Sequence, residues 1–230
     1  RQVVGALVTA SLLTESADSD RTMVTVHRLI ARVIREDNHA ADRARDADQH
    51  ATRVLSAVQP LNLDGYAAQR AATTLLASQL LALLAQDHSR HLAQTPAVLS
   101  VEGMCVYWAN ELSDPYTAIG LAEYVSIREQ VLGPDHPDTL ASRNNLAYAY
   151  QAAGDLGQAI PLYEATLTDR ERVLGPDHPA TLTSRNNLAY AYQSAGDLGQ
   201  AIPLYEATLT DMERVLGPDH PATLTSRNNL

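Results

Sequence analysis

The chain of 230 residues has no phenylalanine, and none of its 17 basic side chains is a lysine; all are arginines. A phosphate-binding P-loop needs a lysine to reach the terminal phosphates, so nucleotide hydrolysis by that route is excluded for this chain. A single cysteine, Cys105, rules out an internal disulfide and suits a reducing, cytoplasmic setting. It lies in the largely apolar stretch Val101–Trp108, where a buried structural thiol is expected in place of a nucleophile. No apolar run reaches the roughly 18 residues of a membrane span. The longest apolar stretch, Ala71–Ala85, is broken by Thr73, Thr74, Ser78 and Gln79, so it reads as a core helix and no membrane partner is expected. No signal peptide is expected, and the sequence offers no Gly-rich phosphate loop and no nucleophile–base pairing. His88 and His91 share a helical turn without a clear third ligand, so neither a metal site nor catalysis is expected. The chain begins at Arg1 and stops inside a repeat, as a piece of a longer protein would.

Charge is unevenly placed. Residues 1–95 carry ten Arg and ten Asp or Glu, whereas residues 96–230 carry seven Arg and 17 Asp or Glu, which accounts for the whole net charge of −10. An acidic second half repels a phosphate backbone, so nucleic acid is excluded as its partner. The acidity is read first as a solvated face that aids solubility.

What the sequence does have is repetition. Leu140–Thr181 returns as Leu182–Thr223, a period of 42 residues, with three differences: Ala141 becomes Thr183, Ala152 becomes Ser194, and Arg170 becomes Met212. The block LGPDHP marks the period at Gly133, Gly175 and Gly217, and a further copy begins at Leu224. Within one unit, Leu140, Leu146, Ala147 and Tyr150, then Ala159, Leu162, Tyr163, Leu167, Val173 and Leu174, recur at helical spacing. Gly154-Asp155 separates the two runs. Gly133-Pro134-Asp135-His136-Pro137 precedes the first, and places Asp135 or His136 at an N-cap with Pro137 in the first turn. Each unit is therefore a helical hairpin, over 137–153 and 156–174. Pro161 and Pro203 fall about six residues into the second helix, where the ring removes a backbone bond; a bend, or a start delayed to Ala159, is expected. Stacked units of this kind bury their apolar faces on each other and bind other proteins.

The spacing Leu146-Ala147-x-x-Tyr150 followed by Ala159-x-x-x-Tyr163 resembles the tetratricopeptide pattern. With NNLA on the first helix, LGPDHP between units and about eight residues beyond the usual ~34, residues 134–230 are similar to the kinesin-light-chain type of that repeat. Ala118-Ile119-x-Leu121-x-Glu123 and Val131-Leu132-Gly133 echo AIPLYE and VLG with a one-residue slip. Residues 96–133 are accordingly read as a diverged first repeat with Val98–Leu112 as its first helix. The resemblance implies an all-α, right-handed solenoid whose first helices line a concave face that takes an extended peptide or protein. The stripe expected there is Ala141, Asn144, Tyr148 and Gln151, repeated as Thr183, Asn186, Tyr190 and Gln193 and begun again at Asn228. Amides offer both donor and acceptor to a peptide backbone, and tyrosine supplies rigid contact area with a polar tip. In kinesin-light-chain-like domains the matching asparagines contact cargo peptides, which is what the resemblance implies for Asn144 and Asn186. The adjacent Asn145 and Asn187 join the candidate set, although a bracing role suits them better.

Residues 1–36 differ. A helical run over Gln2–Leu13, a polar loop over Thr14–Arg21, a β-like stretch over Met23–Val26 and a helix from His27 resemble the end of the winged-helix domain of STAND-class NTPases of the NB-ARC type. In that family the winged helix leads from a nucleotide domain into sensor repeats, and a histidine at this place contacts the phosphate of bound ADP. The resemblance assigns that role to His27, although Val26-His27-Arg28 stands where the family has Met-His-Asp. Residues 37–95 are read as a helical linker. The fragment itself is expected to hold no cofactor, with ADP or ATP bound by a parent protein that may also oligomerise. The alternative is a free-standing adaptor whose first hundred residues are only a helical cap.

Overall fold

The computed structural model describes residues 14–18, 21–25, 66–84 and 92–230. Its first element is a hairpin, with β1 (Thr14–Asp18) antiparallel to β2 (Arg21–Thr25) and Thr14 opposite Thr25. The polar loop expected over Thr14–Arg21 is therefore corrected: its front half is a strand. Two residues separate Asp18 from Arg21, the length of a tight hairpin, and β-branched Thr14, Thr22, Val24 and Thr25 suit a pleated backbone. The expected β-like stretch coincides with β2 as far as Thr25. His27, His88, His91 and the stretch 37–65 lie outside the described residues.

Every other described element is helical. Helix α1 (Tyr66–Leu84) precedes α2 (Pro96–Glu111), α3 (Pro115–Gly120) and α4 (Glu123–Leu132). Two regular hairpins follow, α5 (Pro137–Ala152) with α6 (Leu156–Leu174), and α7 (Pro179–Ser194) with α8 (Leu198–Leu216). Helix α9 (Pro221–Asn229) opens another unit. Each hairpin packs its two helices on each other, and α6 packs in turn on α7.

The sequence punctuation sets these boundaries. Helix α6 ends at Gly175, held at φ 90° and ψ 160°, a region in which a Cβ is not tolerated. Two residues after that glycine comes Asp177, and then His178 takes the N-cap, its imidazole Nδ1 accepting the Ala180 N–H at 3.1 Å with Pro179 at the first helical position. His136 and His220 do the same for Asp138 and Ala222. Between the two helices of a unit, Asp155 accepts the Gln158 N–H at 3.2 Å. That cap starts α6 at Leu156, and the helix runs through Pro161 to Leu174. The late start expected at Ala159 is overturned: the capped first turn forms ahead of the proline, which costs the helix one internal bond and leaves both sides of it helical.

The first unit departs from this plan in its second arm. From Asp114 to Gly133 is 19 residues, whereas from Asp155 to Gly175 is 20. Counted from the front, Asp114, Ala118 and Ile119 stand where Asp155, Ala159 and Ile160 stand. Counted back from Gly133, Arg128, Val131 and Leu132 match Arg170, Val173 and Leu174. The arm breaks into α3 and α4 at Leu121-Ala122, where the first count gives way to the second. Leu121 and Tyr124, both fully buried, seal the break against Leu80, Val98, Leu99 and Cys105 in one core. Tyr124 also donates its hydroxyl to the Leu80 carbonyl at 2.9 Å, tying α1 onto the first unit.

Candidate functional site

Arginine builds the frame between units. Arg143 on α5 bridges Glu129 of the unit before it at 2.8 Å and Asp169 of its own unit at 2.9 Å. Arg185 repeats this with Glu171 at 3.1 Å and Asp211 at 2.7 Å, and Arg227 reaches Glu213 at 2.6 Å. Near the ends of α6 and α8, Arg172 clasps Asp135 and Asp169, and Arg214 clasps Asp177 and Asp211. The Arg172 hydrogen bond holds the Asp135 carboxyl below its ordinary range, and Arg214 does so for Asp177 and Asp211. Exposed pairs of this kind add little stability one by one; what they fix is orientation.

Two further arginines are buried. Arg128 donates to the Leu99 carbonyl and pairs with Glu102, whose carboxyl is pushed up by burial against the pull of the guanidinium. Arg170 donates to the Leu140 carbonyl at 3.4 Å, the same contact one unit later, and to the Ala180 carbonyl and Ser184 Oγ at 2.7 and 2.9 Å. All seven arginines between 96 and 230 are thus engaged in the fold. The acids outnumber them, so the surface of this half is negative.

One face of the first helices is left open. Tyr148 and Tyr190 are 42 % and 48 % exposed, and Tyr107, one unit earlier at the same position, is 52 % exposed. Tyr107 is steadied edge-on by Trp108, with ring centroids 5.4 Å apart. The buried Tyr163 comes from the second helix of its unit and brings its hydroxyl up to this face, donating to Gln151 Oε1 at 3.2 Å. Tyr205 does the same to Gln193 at 3.2 Å. Burial, with Tyr190 alongside, pushes the Tyr205 phenol up to about 12; burial raises Tyr163 as well, with Tyr148 contributing.

The remaining candidate residues divide. Asn144 is buried and its Oδ1 accepts Ser184 Oγ at 3.0 Å, so it braces adjacent first helices. Gln151 extends Nε2 toward Ser194 Oγ at 3.4 Å across the same junction. Asn145 contributes its backbone carbonyl to Asn110 Nδ2 at 3.1 Å, so the side-chain brace falls to Asn144, one position earlier than expected. Asn186 and Asn187 are half-buried and Asn228 is exposed. Asn186 Oδ1 is buried without a partner, as is Ser226 Oγ, where Met212 replaces the arginine that serves Ser184. Tyr107, Tyr163 and Tyr205 are the members of this face that periodicity alone did not supply. The signal for Tyr107 was present: counting back from Tyr148 by the 41-residue offset between Pro96 and Pro137 lands on it.

Reactive chemistry is thin among the described residues. No group of three His, Cys, Asp or Glu could hold a metal. Cys105 is buried, and burial pushes its thiol up to about 12, which makes it a core side chain. No described helix is long and apolar enough to cross a membrane.

Residues 121–168, 143–212 and 186–230 match the tetratricopeptide repeat. No curated protein matches the chain. A Podosopora anserina protein of nearly identical TPR-like repeats, named for kinesin light chain, superposes with a TM-score of 0.55 at 27 % identity, covering 84 % of this chain and 85 % of that one. A substituted form of it gives a TM-score of 0.57 at 25 % identity, over 84 % and 86 %. BtubC (BKLC) from P. vanneervenii shares the fold, with a TM-score of 0.57 at 18 % identity over 87 % of this chain and 78 % of its own. Tetratricopeptide repeats form a protein–protein interaction module. Residues 121–230 match the tetratricopeptide repeat, and the chain is similar in fold to solved structures named for kinesin light chain.

Proposed function

We propose that the face carrying Tyr107, Tyr148 and Tyr190 is the concave wall of a groove that holds an extended segment of a protein partner. One observation carries the reading: the side-chain oxygens of Gln151 and Gln193, one turn on from Tyr148 and Tyr190, are engaged within the fold, while the three rings recur at one position with their surfaces open. Open tyrosines combine apolar area with low ordering cost, a combination enriched where proteins meet. Panning a random peptide display library on the full chain, with the Tyr148→Ala/Tyr190→Ala double variant as counter-selection, tests it. Recovered peptides should bind the parent chain and lose at least tenfold on the variant. Peptides that bind both equally would place the interaction elsewhere.

The wider setting is also a proposal. The order of segments supports a cytoplasmic sensor region of a larger STAND-type NTPase, in which partner binding disturbs the contact of His27 with nucleotide and releases an ADP-held state. Such coupling requires the partner to favour one of two states. In the full-length protein, partner peptide should accelerate nucleotide exchange, and His27→Ala should raise the basal rate; exchange indifferent to both would leave a free-standing adaptor.

A further inference from the structure

We infer that the joints between units form an acid-sensitive device. Protonation of His136, His178 and His220 releases the first turn of the helix that each one caps, and loosens the seating of one unit on the next. The inference is independent of the groove reading.

Three copies of one hydrogen bond carry it. At the start of α7, Pro179 has no N–H, and the N–H groups of Thr181 and Leu182 go to the His178 carbonyl. Ala180 is the first-turn donor that remains, and the His178 imidazole takes it through Nδ1 at 3.1 Å. His136 holds Asp138 at 3.1 Å and His220 holds Ala222 at 3.2 Å. The three histidine backbones share a φ of −67° to −68° and a ψ of 136° to 138°.

A ring nitrogen that accepts a main-chain N–H carries no proton, so in each cap the ring proton sits on Nε2. An imidazolium carries a proton on both nitrogens. It would meet the main-chain N–H with a second donor, and would add positive charge at the helix end where the backbone dipole is positive. Serine, threonine, asparagine and aspartate are the usual caps, and none of them gives up its acceptor near neutral pH. Histidine is the side chain whose charge changes between about pH 5 and 8. A folded joint that needs neutral imidazole binds fewer protons than the unfolded chain. Its contribution is therefore complete on the alkaline side and lost as pH falls through the histidine range.

The cap is tied to the contact between units. Ala180, whose N–H is held by His178, offers its carbonyl to Arg170 of α6 at 2.7 Å. One residue is thus gripped both from the start of its own helix and from the unit before. Release of the N–H loosens the turn that positions that carbonyl.

Surrounding charges distinguish the three caps. The Asp138 carboxylate lies 3.9 Å from His136 Nδ1, whereas Ala180 and Ala222 occupy the same position beside His178 and His220. Asp135, Asp177 and Asp219 precede the three histidines, and the first two are turned to Arg172 and Arg214. Those arginines also hold Asp169 and Asp211, while Arg227 holds Glu213. An imidazolium at His136 gains a carboxylate in exchange for its cap; His178 and His220 have none as close. The acid response is therefore largest at the joints of His178 and His220.

The test is urea unfolding and amide exchange of the full chain at about pH 8 and about pH 5.5, within the span of histidine titration. The comparison is the His136→Asn/His178→Asn/His220→Asn variant, because asparagine caps a helix and does not titrate. On acidification the folding constant of the parent should fall at least tenfold more than that of the variant, the effect of two caps at roughly fivefold each. Protection of the Ala180 and Ala222 amides, corrected for the intrinsic pH dependence of exchange, should fall at least fivefold in the parent. The amides at positions 180 and 222 should stay level in the variant. An equal acid response of parent and variant would overturn the device, and so would Ala180 and Ala222 amides indifferent to pH. Ala180→Asp gives His178 the carboxylate that His136 has, and decides the matter if the triple variant does not fold. Its amide at position 180 should lose less protection on acidification than in the parent; an unchanged loss would overturn the role of imidazole charge.

Discussion

Two copies of one 42-residue sequence stand side by side here in different company. Leu140 and Leu182, which open the two copies, are both completely buried. Arg170 binds the carbonyls of Leu140 and Ala180, whereas Met212 occupies the same position as a nearly inaccessible thioether and leaves Ser226 Oγ without a partner. The first unit gives a third solution, a buried ion pair of Arg128 with Glu102 at the position where Arg143 later stands. Local sequence makes the hairpin in each case. What its buried polar position requires is decided by the neighbour, as expected of a solenoid in which each unit contacts only those beside it.

The comparison can be broken most severely in the first unit. Arg128→Met removes the partner of a buried carboxylate, and breaking such a pair costs about 3–5 kcal/mol; urea unfolding monitored by circular dichroism should show a loss in that range. Arg170→Met, which copies the third unit into the second, strands hydrogen-bonding groups but no charge. The same assay should give about 1–3 kcal/mol. Equal losses for the two would mean that the Glu102 charge is not what distinguishes the sites. In the opposite direction, Met212→Arg gives Ser226 Oγ a donor while burying a guanidinium, and should change stability by less than about 1 kcal/mol.

The smallest effect expected is at the clasps. Arg172→Ala with Arg214→Ala should lower the thermal midpoint slightly at low salt, and the difference should fade at high salt. Asp135, Asp177 and Asp211 are held below the ordinary carboxylate range by those arginines. The stability they add is therefore complete above that range and lost as pH falls through their lowered values. Acid titration should make parent and double variant converge. A gap that widens on acidification would show the clasps to be unimportant.

The helix boundaries were legible because glycine, proline and the capping side chains act locally. Gly175, His178 and Pro179 end one helix and start another whatever packs on them, and the expected 156–174 matches α6. The expected 137–153 differs from α5 by one residue. The open tyrosines Tyr148 and Tyr190 were legible for the same reason, since periodicity tells which side of a helix a residue takes. It does not tell what comes to that side from another helix. The burial of Asn144 depends on Ser184 in the next unit, and the hydroxyl of Tyr163 reaches the open face from the far side of its hairpin. Nothing local in the sequence marks Arg170 as a residue that α7 covers. The break at Leu121-Ala122 left a trace in the one-residue slip, but a slip in sequence does not say whether a helix bulges or stops.

The single buried difference between the two copies has one more consequence. Ala152 and Ser194 are exposed, and Ala141 and Thr183 are at most half-buried, so Arg170 against Met212 is the only change that a neighbouring unit feels in its interior. A chain of near-duplicates can pair its hairpins with the wrong successor during folding, shifted by a whole unit, and most of the contacts would be reproduced. Arg170 shifted by one unit would meet the same carbonyl and hydroxyl oxygens at Ala222 and Ser226, and Met212 in its place would strand Ser184 in exchange for Ser226. That one difference therefore supplies no address: the correct order of units is held by the connectivity of the chain, since the buried contacts of a permuted order would be equivalent.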